Sequence, residues 1–91
     1  MKTVTAKWAF DNKETINLID VRTPAEYQVR GLKEAKNIPL RGLIMNADLF
    51  LEKGKTYYLM CASGGRSAMA AIELEKQGYD VANVEGGIAQ M

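Results

Sequence analysis

Short apolar runs alternate with helix-spaced segments along this sequence, which predicts an α/β fold: three layers, with a central parallel sheet and helices on both faces. Two observations carry the prediction. Ile16-Asn17-Leu18-Ile19-Asp20-Val21 and Thr56-Tyr57-Tyr58-Leu59-Met60 are nearly continuous apolar runs, as expected of strands covered on both faces. The segment after each carries helix signals, a capping box in one case and a helical apolar stripe in the other.

In chain order, Thr3 to Thr5 reads as a short first strand and Ala6 to Asn12 as a short helix. The Ile16–Val21 strand follows. Thr23-Pro24-Ala25-Glu26 then starts a helix, with Thr23 as cap, Pro24 at the first helical position and Glu26 completing a capping box. Gly31 stops it. Ala35 to Ile38 is a brief strand ended by Pro39, and Leu40 to Leu51 has helical spacing through Leu43, Ile44, Ala47 and Phe50, with a break near Asn46. Thr56 to Cys61 is a strand. Ser67 to Gln77 is a helix whose apolar side is Ala68, Ala70, Ala71, Ile72 and Leu74, with Gly78 placed to end it. Val81 to Val84 is the last strand, and Glu85-Gly86-Gly87 a turn. Trp8, Tyr57 and Tyr58 read as packing, and burial accounts for Leu43, Ile44, Met45 and Phe50 more simply than a pocket rim.

Composition narrows the function classes. Residues 1–91 suit one small domain, 47% apolar and 25% charged. A net charge of +1 with scattered Lys and Arg gives no reason to expect nucleic acid or an acidic membrane as partner. One cysteine excludes an internal disulfide, and with no histidine it leaves a zinc site without ligands. The first eight residues lack the apolar core of a signal peptide, and no apolar run approaches the ~20 residues that span a bilayer. A cytoplasmic location is the expectation.

The chemistry concentrates in Cys61-Ala62-Ser63-Gly64-Gly65-Arg66-Ser67, at the carboxyl end of a strand, where open parallel sheets bind their ligands. A lone cysteine after an apolar strand is, taken alone, more often a small core residue. The next six residues reverse that balance. Two adjacent glycines can turn several N–H groups toward one point beyond the positive end of a helix, and Arg66 stands a loop's breadth away. A cysteine at that focus is expected to be a partly exposed thiolate. Four residues separate Cys61 from Arg66, a narrower loop than the C-x5-R ring with which cysteine phosphatases surround a phosphate. It fits a smaller group, such as sulfur bound to sulfur. The lack of histidine argues against hydrolytic Cys-His chemistry but not against sulfur exchange between thiolates.

As a set, Asp20-Val21-Arg22, Glu26-Tyr27, Gly31, Ala35-Lys36-Asn37-Ile38-Pro39, Cys61 to Ser67 and Glu85-Gly86-Gly87-Ile88 resemble the single-domain rhodanese-like sulfurtransferases, over about Leu18 to Ile88. The resemblance implies a rhodanese-like domain over residues 1–91, its C-terminal helix short or absent. It implies that Cys61 is the catalytic nucleophile. Cys61 would take sulfur from thiosulfate, a polysulfide or a low-molecular-weight persulfide, hold it as a persulfide, and give it to a thiol, cyanide or a partner protein. Ala62, Ser63, Gly64, Gly65, Arg66 and Ser67 would form the substrate loop, with Asp20, Arg22 and Glu26 in support. No metal or organic cofactor is implied.

Two departures qualify what carries over. Leu32 stands where many relatives have histidine, at a position expected to be structural. No basic residue follows Cys61 directly, so thiosulfate is expected to be a poor donor. Arg66 has two expected roles, binding an anionic donor or fixing the loop through backbone or Glu26. Asp20 and Arg22 are expected to hold loops together as an ion pair. The rival functions are a module that only carries sulfur or docks a partner, and a phosphatase or arsenate reductase on the same fold, which the loop width disfavours.

Overall fold

Five strands, β1 (Lys2–Thr5), β2 (Asn17–Asp20), β3 (Ala35–Asn37), β4 (Thr56–Met60) and β5 (Asp80–Glu85), form one parallel sheet with the spatial order β1-β5-β4-β2-β3. The computed structural model describes residues 1–91. Between the strands lie α1 (Ala6–Asp11), α2 (Pro24–Val29), α3 (Leu40–Met45), α4 (Ala47–Phe50) and α5 (Gly65–Lys76), and a 3-10 turn at Gly87–Gln90 follows β5. The predicted three-layer α/β class is the observed one.

Two apolar layers sandwich the sheet. On one face Ile19, Leu59 and Val81 pack with Leu43 of α3, Ala47 of α4, and Ala70, Ala71 and Leu74 of α5. On the other, Leu18, Met60 and Val84 pack with Ala6 and Ala9 of α1 and Ile88 of the 3-10 turn. Adjacent residues thus go to opposite faces, as the period of a strand requires, and Leu18-Ile19 of β2 and Leu59-Met60 of β4 are apolar pairs because both faces are covered. Each fully buried leucine contributes about 1.5–3 kcal/mol by leaving water.

The expected helix starts are realised and sharpened. Thr23 caps α2 through the Glu26 N–H at 3.2 Å, while Glu26 Oε1 accepts from the Thr23 N–H at 3.1 Å. Helix α2 ends at Val29 with Arg30 as its C-cap, directly before Gly31. The predicted Leu40–Leu51 helix breaks at Asn46, as expected. Met45 and Phe50 are 73% and 38% exposed, a correction to their expected burial, because the buried positions of these two short helices are Leu43 and Ala47. Helix α5 starts two residues before the predicted Ser67, since Gly64 adopts a left-handed φ of 105° and serves as its cap. Its buried stripe is Ser67, Ala70, Ala71 and Leu74, so Ile72 lies off that stripe and is exposed. No helix is long and apolar enough to cross a membrane.

Candidate active site

Strand β4 sits in the middle of the sheet, and its alternation delivers the cysteine. Tyr57, Leu59 and Cys61 belong to the layer under α3–α5, while Met60 faces α1. Cys61 is the first residue past the strand, at its carboxyl end.

The loop is shaped from both sides. From the α5 side, the Gly64 N–H donates to Cys61 Sγ at 3.1 Å, and the Ser67 N–H and hydroxyl approach it at 3.5 and 3.4 Å. From the β5 side, the N–H groups of Ile88 and Ala89 donate to the carbonyls of Cys61 and Ala62 at 2.9 and 3.0 Å. The C=O and N–H of a trans peptide point in opposite directions. Holding these two carbonyls against the 3-10 turn therefore aims the Ala62 and Ser63 N–H groups away from it. This grip needs Gly87: its φ is 56°, and a Cβ there would overlap both carbonyl oxygens.

Electrostatics at the sulfur are a contest. Burial pushes the Cys61 thiol pKa up, but the Ser67 hydroxyl and N–H, with the N–H groups of Gly64 and Ser63, outweigh it and bring it below the ordinary thiol value. The sulfur lies just ahead of the α5 N-terminus, where the helix dipole also favours negative charge.

One expectation needs correction. Cys61 is not partly exposed but buried, at 1% of its accessible surface. Its side chain forms the floor of the loop, with Val21 and Leu43 in the apolar layer on one side and the amides on the other. Ala62 is half-buried, and Ser63 and Gly65 are exposed at the mouth. The sulfur's donors are Ser63, Gly64 and Ser67 rather than the whole Ala62–Ser67 run.

The supporting residues separate into two ion pairs. Arg66 engages Glu26 through both its terminal nitrogens, so the loop's one cation fixes the loop instead of standing free for an anionic donor. Hydrogen bonds from Arg66 lower the Glu26 carboxyl to about 2, and Glu26 in turn raises the Arg66 guanidinium. Arg22 is buried against Asp20, with its Nε at 3.0 and 3.1 Å and its Nη2 at 2.7 Å from the carboxylate oxygens. Arg22 also donates to the carbonyls of Glu26 and Arg30, which holds α2 to the end of β2. It does not point into the cysteine loop as a substrate ligand.

Two residues of this neighbourhood, Asn37 within the Ala35–Pro39 motif and Asn83, were given no role from the sequence. Asn37 donates to the carbonyls of Asp20 and Arg22 at 3.0 and 2.9 Å, joining β3 to the β2 turn. Asn83, a buried amide in β5, touches Ser67. The one available signal for Asn83 was a polar residue inside an otherwise apolar strand.

Comparison with known proteins agrees with this architecture. A family model described as Rhodanese-like domain matches residues 5–91. The chain is 34% identical over 88 residues to "Putative sulfurtransferase YtwF" of Bacillus subtilis, covering 97% of this chain and 84% of that protein. It is 36% identical over 83 residues to "Putative sulfur carrier protein YrkF" of the same organism, covering 90% of this chain. The chain spans about half the length of some of the curated relatives it matches, 44% of one and 48% of another. Among solved structures, a rhodanese-like domain protein from Staphylococcus aureus superposes with a TM-score of 0.89 at 34% identity, covering 99% of this chain and 90% of that one.

Proposed function

The chain belongs to the rhodanese-like domain family, and from that membership we propose that it is a sulfurtransferase working through a persulfide on Cys61. The observation that supports this most is the convergence of the Gly64 N–H, the Ser67 N–H and the Ser67 hydroxyl on one sulfur at 3.1–3.5 Å. Such donors stabilise an anionic nucleophile without a histidine base, which this chain lacks.

In the proposed cycle the Cys61 thiolate attacks the outer sulfur of a donor R–S–SH. A Cys61–S–SH bond forms, the donor's S–S bond breaks, and R–S⁻ leaves. An acceptor thiolate then attacks the outer sulfur of the Cys61 persulfide, takes it as R′–S–SH, and returns the Cys61 thiolate. Charge and electrons balance in each half, and no redox partner is consumed. With thiosulfate the leaving group is sulfite, and a dianion must approach a thiolate. Since Arg66 is neutralised by Glu26, persulfide and polysulfide donors are the favoured class and thiosulfate a poor one. The proposed setting is the cytoplasm, where acceptor thiols stay reduced.

A second reading is favoured by the likeness to YrkF: the domain carries sulfur for a partner protein instead of turning over freely. Both readings need the same persulfide. Intact-mass measurement after incubation with candidate donors tests them together: one added sulfur atom on the parent chain and none on Cys61→Ser is expected. Failure of any persulfide, polysulfide or thiosulfate donor to load the parent chain refutes both. Release of the loaded sulfur to small thiols, against release only to a protein, then separates enzyme from carrier.

A further inference from the structure

We propose that Asn83 is a positioning residue for the sulfur nucleophile and acts through Ser67: the Asn83 carboxamide decides whether the serine proton is given to Cys61. This rests on the reading of Cys61 as the nucleophile.

The Ser67 hydroxyl has one proton, and three acceptors face it: Asn83 Oδ1 at 2.6 Å, the Gly64 carbonyl at 3.2 Å and Cys61 Sγ at 3.4 Å. Ser67 is fully buried and Asn83 is 4% exposed, so water does not relieve the competition freely. With the amide oxygen toward Ser67, the shortest contact takes the proton and the sulfur loses its hydroxyl donor. The two ends of a carboxamide are nearly the same size. Turned by half a rotation, Asn83 presents its NH2 to Ser67 Oγ, and the serine proton is left for Gly64 or the sulfur. An ionised sulfur is the stronger acceptor of the two. Asn83 can therefore accept the serine hydrogen bond while Cys61 is a thiol and donate one to the serine oxygen when Cys61 is a thiolate.

Placement supports this role. Asn83 pairs with Thr3 and Leu59 in the sheet, so its backbone is fixed from both sides. Its neighbours in β5, Val81 and Val84, are both apolar core residues, which leaves the amide as the strand's buried polar group. At the carboxyl ends of β2 and β5 and at the starts of α2 and α5, the charged residues are Asp20, Arg22, Glu26, Arg66 and the exposed Glu85. The first four are spent in the Asp20–Arg22 and Arg66–Glu26 pairs, and none of the five hydrogen-bonds Asn83.

The test is a cycle of Asn83→Asp and Ser67→Ala in the full chain, read as the pH midpoint of Cys61 alkylation. Aspartate keeps the shape but only accepts, so it holds the serine proton. The midpoint should rise by about one pH unit, a tenfold loss of thiolate at a fixed pH below it. In the Ser67→Ala background the same substitution should shift it by less than half as much. An undiminished shift there means that the new charge acts through space, and overturns the proposal. If Asn83→Asp fails to fold, the side-chain amide resonances of Asn83 in the parent chain decide. They should move as Cys61 titrates, and unchanged resonances overturn the relay. A parent midpoint at or above that of a free thiol would instead sink the reading of the loop as a thiolate cradle.

Discussion

The guanidinium of Arg66 meets the carboxylate of Glu26 atom for atom, Nη1 on Oε1 at 2.8 Å and Nη2 on Oε2 at 2.9 Å. The pair ties the cysteine loop to α2 across 40 residues of chain. Glu26 also closes the capping box of α2, so a single carboxylate organises a helix start and the cysteine loop at once. If Arg66 fixes the loop, its loss should slow every donor alike. Arg66→Gln is expected to lower kcat/KM by about threefold to fivefold for thiosulfate and for a neutral persulfide, the scale of one half-exposed ion pair. Steady-state kinetics with both donors checks it, and a loss confined to thiosulfate would give Arg66 the anion-binding role instead.

Acid should undo the same pair. The Glu26 carboxyl sits at about 2, below its ordinary value, so the pair's contribution is present above the unfolded carboxylate range and is lost as pH falls through about 2. Between neutral pH and pH 4 the loop should be unaffected by this group. A carboxyl-carbon NMR titration of Glu26 should show its midpoint well below the ordinary glutamate value, and Arg66→Gln should bring it back up.

At the nucleophile, Cys61→Ser should abolish sulfur transfer and leave the fold in place. The hydroxyl replaces a slightly larger thiol and inherits the Gly64 donor, so the cost should stay below about 1.5 kcal/mol. Thermal unfolding and intact mass check the two halves separately. Since Cys61 is 1% exposed beneath the loop mouth, a small reagent such as iodoacetamide should outpace a bulky maleimide by more than it does with free cysteine. The alkylation midpoint should fall below about 8.5, the value of a free thiol.

Much of this site could be read before any coordinates. The capping box at Thr23 and Glu26, the strand ending at Cys61 and the glycines after it are local signals, and local signals survive folding. What was not legible depends on contacts between distant segments. The sequence left Arg66 divided between an anion and Glu26, and the pairing appears only when two segments 40 residues apart meet. The turn at Gly86-Gly87 read as a chain reversal, yet its N–H groups at Ile88 and Ala89 anchor the loop carbonyls from behind. Burial of Cys61 was missed because the apolar layer it joins is completed by residues such as Val21 and Leu43, which arrive from other parts of the chain.

Asp20 and Arg22 are 0% and 5% exposed and paired, so removing one partner strands a buried charge. Arg22→Leu should destabilise the chain by about 3–5 kcal/mol, whereas Asp20→Leu together with Arg22→Leu should recover a substantial part of that. Denaturant unfolding of the two variants checks the sign. Equal losses in both would mean that the Arg22 bonds to the carbonyls of Glu26 and Arg30, rather than the ion pair, dominate.

Gly87 offers the sharpest test of how the loop is held. Gly87→Ala must accept a φ of 56°, which costs roughly 1–2 kcal/mol for a residue with a side chain. Its Cβ must also displace the carbonyl oxygens of Cys61 and Ala62, which are backbone and cannot swing aside. Gly54→Ala is the control, since Gly54 has a φ of 96° but open space around the added atom. The Gly87 variant should lose more stability than the control and should also raise the Cys61 alkylation midpoint, because moving those carbonyls turns the Ala62 and Ser63 N–H groups with them. The control should leave the midpoint where it was. Equal stabilities and an unmoved midpoint in both variants would show that the 3-10 turn does not shape the loop.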